Sequence, residues 1–214
     1  MSGAKVDRRR FLFLASGTVG GSALLAACGG PSPARPPDDT PVVTSPDHLE
    51  GDLAIAALLA SMENLLLNLY QEAIDKKDKL GTIPPGVMAV ITTAQKEHKD
   101  HAAAWNGILT GAGKPGITGV NLTVKSGSVD VPLARAKDFG TFLSLCQDVG
   151  TLTATTYQAA MGSLQNLAAI KVAASIHPVE QQQVAVLNFL LGRNPPTDSF
   201  RHVDGARTTT DNIG

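Results

Sequence analysis

The chain has 214 residues, 43% of them hydrophobic, with 4% aromatic and 17% charged side chains. That suffices for one domain with a sizeable core plus extensions, and the abundance of Ala and Leu suits packed helices better than a sheet. The 18 basic and 19 acidic residues make no polycationic surface, which argues against nucleic acid as a partner. Without residues 1–27, which hold Lys5, Arg8, Arg9, Arg10 and Asp7, 14 basic groups face 18 acidic ones.

Arg8-Arg9-Arg10-Phe11-Leu12 reads as the core of a twin-arginine signal, and a moderately apolar run from Phe13 to Ala27 follows it. The run ends in Leu25-Ala26-Ala27-Cys28-Gly29, which resembles a bacterial lipobox. Residues 1–27 are therefore expected to be a signal peptide cleaved before Cys28, whose lipid would anchor the chain to the cell membrane on its extracytoplasmic side. A plain membrane anchor of about 17 apolar residues sits at the lower limit for spanning and leaves the arginine pair and the cysteine unexplained. With Cys28 acylated, Cys146 stands alone and reads as a small buried hydrophobe.

Residues 28–47 are Pro-rich and lack an apolar period, the pattern of an extended tether. Ser45-Pro46-Asp47 offers an N-cap with Pro at the first helical position. A helix is expected from about His48 to Lys77, and a second from Pro84-Pro85 to about Thr110, stopped by Gly111-Ala112-Gly113-Lys114-Pro115. The link between them is so short that the two should be antiparallel neighbours. Residues 112–135 show no helical period. A third helix is expected from about Lys137 to Leu164 and, after a turn at Gln165-Asn166, a fourth from Leu167 to Leu191. Residues 194–214 are polar and expected to be loosely held. Asn121-Leu122-Thr123 matches a glycosylation sequon but carries no weight beside a bacterial lipobox.

Two tight hairpins with one long link between them is the connectivity of an all-α four-helix bundle. A helix of about 25 residues spans roughly 38 Å, a distance that about two dozen extended residues can cover. The two hairpins also repeat one pattern. Aligning Tyr70 with Tyr157 sets Glu63 opposite Gly150; aligning Asn106 with Asn188 sets His98 opposite Glu180 and His101 opposite Gln183. His98 and His101, three residues apart, share one helix face.

Over about residues 48–193 the chain resembles the ferritin-like domain proteins, in particular the small actinobacterial type that carry this kind of signal. In the di-metal members each hairpin gives a Glu from its first helix and a Glu-x-x-His pair from its second. The resemblance thus points to Glu63, His98 and His101 in one half and to Gly150, Glu180 and Gln183 in the other. Gly150 has no side chain, Gln183 stands for His and His98 for Glu, so a complete di-iron centre lacks the carboxylates it needs. Glu63, His98, His101 and Glu180 remain as the candidate ligands of a single Fe, Mn or Zn ion.

The same four groups also fit a second reading. Glu63 and Glu180, costly to bury unpaired, could be satisfied by protonated His98 or His101, by Tyr70 or Tyr157, or by water, in a degenerate bundle that binds no metal and serves as a structural or interaction protein of the envelope. Tyr70 and Tyr157 are expected on the inner stripe with hydroxyls in need of partners. Trp105 reads as a packing residue at the bundle end, Glu97 as solvated and His177 as a surface histidine. No nucleophile elbow, phosphate loop, dinucleotide fingerprint or Cys-x-x-Cys pair is present, so no catalytic residue is assigned. The sequence leaves open whether bundles pair into homodimers.

Overall fold

The structure, a computed structural model, describes residues 49–193 and 202–214. The signal segment, Cys28, the tether and the Ser45-Pro46-Asp47 cap lie outside the described residues.

Four long helices carry the fold: α1 (Gly51–Asp75), α3 (Pro85–Gly111), α6 (Phe139–Met161) and α7 (Leu167–Leu190). A single turn, α2 (Lys77–Leu80), follows α1, and Gly81 at φ 87 supplies the left-handed backbone that ends it. The hairpins are α1 on α3 and α6 on α7; α1 also packs on α6 and α3 on α7, which closes the four into a bundle. The helices agree with the expected spans to within a turn. The first begins at Gly51, behind Glu50, which makes no side-chain cap.

Side chains cap the starts of α6 and α7. Asp138 caps α6 by accepting the Thr141 N–H at 2.8 Å, and Asn166 caps α7 by accepting from Ala168 and Ala169 at 2.8 and 3.2 Å. Asp52 of α1 accepts the backbone N–H groups of Gln165 and Asn166, tying the α6–α7 turn to the start of α1. α1 is long and apolar enough to cross a membrane, but most of it is buried within the bundle, as a core helix is.

The crossover is pinned to the bundle. Asn64 Nδ2 donates to the carbonyls of Ile117 and Gly119 at 3.1 and 2.9 Å, and the Asn106 side chain bonds both backbone groups of Ile117. Beyond it come α4 (Leu122–Val124), a π-helical turn over Lys125–Val129 and α5 (Asp130–Arg135). Asn121, the sequon asparagine, is fully buried as the cap of α4 and donates to Asp211 at 3.0 Å.

Residues 202–214 correct the expectation of a loose tail. Leu122 N–H bonds the Asn212 carbonyl at 2.7 Å and Gly214 N–H the Val120 carbonyl at 3.0 Å. Ile213 pairs with Asn121 in an isolated antiparallel bridge and joins the apolar core. Arg207 donates its backbone N–H to Thr156 and its guanidinium to Asp211.

The core divides into two apolar clusters, one around Leu66, Leu69, Tyr70 and Phe142, the other around Leu59, Trp105, Leu109 and Tyr157. Cys146 is a buried free thiol in the first, as expected. Between the clusters lies a layer of polar side chains.

Candidate metal centre

Each ligand candidate owes its position to one helix: Glu63 to α1, His98 and His101 to successive turns of α3, Glu180 to α7. Since α3 packs on both α1 and α7, its inner face is where carboxylates from the two can meet. Glu63 and His98 are fully buried, Glu180 is 1% exposed and His101 9%. Ligand atoms of all four lie within 4.8 Å of one another, a group that could hold a metal ion.

The contacts are specific. His98 Nδ1 is 2.6 Å from Glu63 Oε2 and 3.6 Å from Glu180 Oε1; His101 Nδ1 is 3.0 Å from Glu180 Oε1 and 3.4 Å from Glu63 Oε2. Both imidazoles thus turn the same nitrogen toward both carboxylates. The Tyr157 hydroxyl donates to Glu63 Oε1 and accepts from Trp105 Nε1 at 2.6 Å. Tyr70 stacks on His98 with ring centroids 5.5 Å apart, and the His98 and His101 rings meet edge to face.

Burial would raise the Glu63 carboxyl, but hydrogen bonds from His101 and His98 and their charges outweigh it and hold the group at about 2. Burial would lower His101, yet its bonds to Glu180 and Glu63 raise it to about 10. His98 is also raised, desolvation being overcome by the charge of Glu180 and the bond to Glu63. Glu180 is raised by its burial and by the charge of Glu63. The metal-free centre is therefore an imidazolium–carboxylate cluster in which protons sit where a cation could.

Two atoms remain unmatched: Glu180 Oε2 and His98 Nε2 are buried without a hydrogen-bond partner. An unsatisfied buried polar atom costs about 1–3 kcal/mol and calls for an ion or water. Two imidazoles and two carboxylates, with one carboxylate oxygen to spare, fit a single divalent transition metal.

They do not fit two. Gly150 is buried in α6, and a β-carbon there would meet Val184 Cγ2 at 3.6 Å, an ordinary contact. Gln183 turns outward and donates to Glu97 Oε2 at 2.8 Å. Glu97 is thus half-buried and bonded rather than solvated. Both line a cleft of about 290 Å³ between α3 and α7, which Tyr70 lines as well. His177 is half-buried, near Gln181, and stands outside the ligand group. Because Gly150 holds open no space that the core needs, Gly150→Ala should stabilise the chain by about 0.5–1 kcal/mol, the helix-interior gain of Ala over Gly. Urea unfolding measures it, and a loss of stability would show that the glycine makes room for something.

Trp105 is the participant that the sequence reading missed. It lies four residues beyond His101, hence on the same face of α3, and that spacing was the signal available.

No curated protein and no solved structure matches the chain. A family model described as the ferritin-like domain matches residues 51–193, which runs from the first residue of α1 to just past the end of α7. With an all-helical bundle of two hairpins and a His/Glu group in its core, the chain belongs to the ferritin-like domain family.

Proposed function

We propose that the chain is a lipid-anchored, extracytoplasmic ferritin-like protein that binds one Fe, Mn or Zn ion through Glu63, His98, His101 and Glu180, for metal handling or oxidant defence. The observation that carries the metal reading is the approach of four buried ligand atoms to within 4.8 Å of one another. The envelope address rests on Arg8-Arg9-Arg10-Phe11-Leu12 and on the lipobox at Cys28. Twin-arginine export moves folded proteins, which permits loading in the cytoplasm.

An iron or manganese ion held there would supply one-electron chemistry, and zinc a fixed charge and a Lewis acid. The chain's own residues set the conditions. Glu63 and Glu180 offset the ion's charge, the two imidazoles give neutral donors once deprotonated, and the flanking apolar clusters exclude water. His101 is the ligand candidate nearest solvent.

The second reading, a metal-free structural or interaction bundle, draws on the ion pairs by which the four groups already satisfy most of one another. Elemental analysis of the full chain, purified from metal-replete cells without chelator, separates the two. About one equivalent of a transition metal is expected, with a melting temperature that falls on its removal. Less than about a tenth of an equivalent, together with no shift on adding Fe, Mn or Zn, would establish the metal-free reading.

A further inference from the structure

The two carboxylates of the centre are not equivalent. Glu180 Oε1 faces His101 and its Oε2 is buried with no partner, so both oxygens can be given to a cation. Glu63 faces the imidazoles with Oε2 alone, at 2.6 Å from His98 Nδ1 and 3.4 Å from His101 Nδ1. Its Oε1 already accepts the Tyr157 proton.

Tyr157 is held to that task by Trp105. The indole N–H donates to the phenol oxygen at 2.6 Å, and its claim on that oxygen leaves the phenol's single proton for Glu63. Trp105, Tyr157 and Glu63 are all fully buried, so no water competes for any of these groups. A neutral donor to a carboxylate makes a strong hydrogen bond, stronger still where solvent is excluded. A cation that took both oxygens of Glu63 would compete with the Tyr157 hydroxyl for Oε1 and draw the carboxylate away from it.

We propose that Trp105 and Tyr157 are positioning residues that set the metal preference of the centre, by holding Glu63 to donation through one oxygen. This rests on the reading that the four residues bind one ion. Two imidazole nitrogens and one oxygen from each carboxylate suit a four-coordinate ion such as Zn²⁺. Ions that favour more oxygen donors, Mn²⁺ among them, are served better by a centre whose carboxylates can both chelate. Any such site favours Zn²⁺ over Mn²⁺ to some extent, so the quantity that reports the clamp is the change in their ratio on releasing Glu63.

The test is to measure dissociation constants of the full chain for Zn²⁺ and Mn²⁺ by competition with chromogenic chelators, in the wild type, Tyr157→Phe and Trp105→Phe. Tyr157→Phe should weaken Zn²⁺ about 10–100-fold, as loss of a partner to a metal-bound carboxylate does. It should weaken Mn²⁺ less, so that the preference for Zn²⁺ narrows. Bound Co²⁺, whose visible absorption is intense when four-coordinate, should lose intensity in the same variant. Trp105→Phe should move both readouts the same way by less, since Tyr157 keeps its bond to Glu63.

If the two affinities fall by the same factor and the Co²⁺ spectrum is unchanged, Tyr157 only supports the fold and the proposal is overturned. Should Tyr157→Phe fail to fold, an unchanged ratio in Trp105→Phe overturns it equally. A wild type that binds neither ion fails at the earlier step and removes the metal reading itself.

Discussion

Glu63→Ala in the metal-free chain is expected to lower stability by about 3–5 kcal/mol, the cost of removing one partner from a buried ion pair. At about 2–4 °C per kcal/mol for a chain of this size, the melting temperature should fall by roughly 10 °C. Glu63 sits at the junction of the polar layer: its Oε2 is 2.6 Å from His98 and 3.4 Å from His101, and its Oε1 accepts from Tyr157. Truncation strands two imidazoles and a phenol in a core from which water is excluded. His98 and His101 are left with Glu180 alone, whose carboxyl is itself pushed up by burial. Glu63→Gln separates charge from cavity, because it keeps the volume and removes the anion. If charge pairing dominates, Gln should retain most of the loss seen with Ala. A Gln variant as stable as the wild type in urea would show that the imidazoles stay neutral and that the layer is held by packing.

Much of this layer is legible in the sequence, for a physical reason. Inward faces of helices repeat at three and four residues, so Glu63, Tyr70, His98, His101, Tyr157 and Glu180 can be placed on inner stripes before their partners are known. The hairpin repeat adds the register that brings α1 and α7 to the two faces of α3. Periodicity does not say which hydroxyl meets which carboxylate. Tyr70 and Tyr157 occupy equivalent places in the repeat, yet Tyr157 bonds Glu63 while Tyr70 stacks on His98 and lines a cleft.

The parts that sequence reading misplaces are those held by contacts distant in the chain. Residues 202–214 carry no helical period, and their docking rests on backbone bonds to Val120 and Leu122, on the bonds of Arg207 to Thr156 and of Asp211 to Asn121, and on Ile213. Local composition marks such a segment as a polar tail. The crossover is similar: α4 spans three residues, too few for any period, and its ordering comes from Asn64, Asn106 and Asn121 bonding backbone groups. Gln183 occupies a ligand position of the family pattern, but Glu97 offers its amide an acceptor on the outside.

The stabilisation that a bound metal gives is expected to grow with pH, because the ion and the protons compete for the same nitrogens. His101 is raised from 6.5 to about 10, so its contribution to the metal-free fold is complete below about 6.5 and is lost as the pH climbs through 10. Glu63 is lowered from 4.5 to about 2, so its contribution is complete above 4.5 and lost as the pH falls through 2. The contribution of these two groups to metal-free stability is thus greatest between about 4.5 and 6.5 and declines toward alkaline pH. Binding an ion through both imidazoles expels the two protons they carry, so affinity should rise by up to about 100-fold per pH unit wherever both are charged in the free centre. Melting temperatures with and without Zn²⁺, taken from pH 6 to pH 9, should therefore diverge as the metal-free value drops and the loaded value holds. A gap that stays constant across that range would mean that the ion binds without displacing protons, and hence away from His98 and His101.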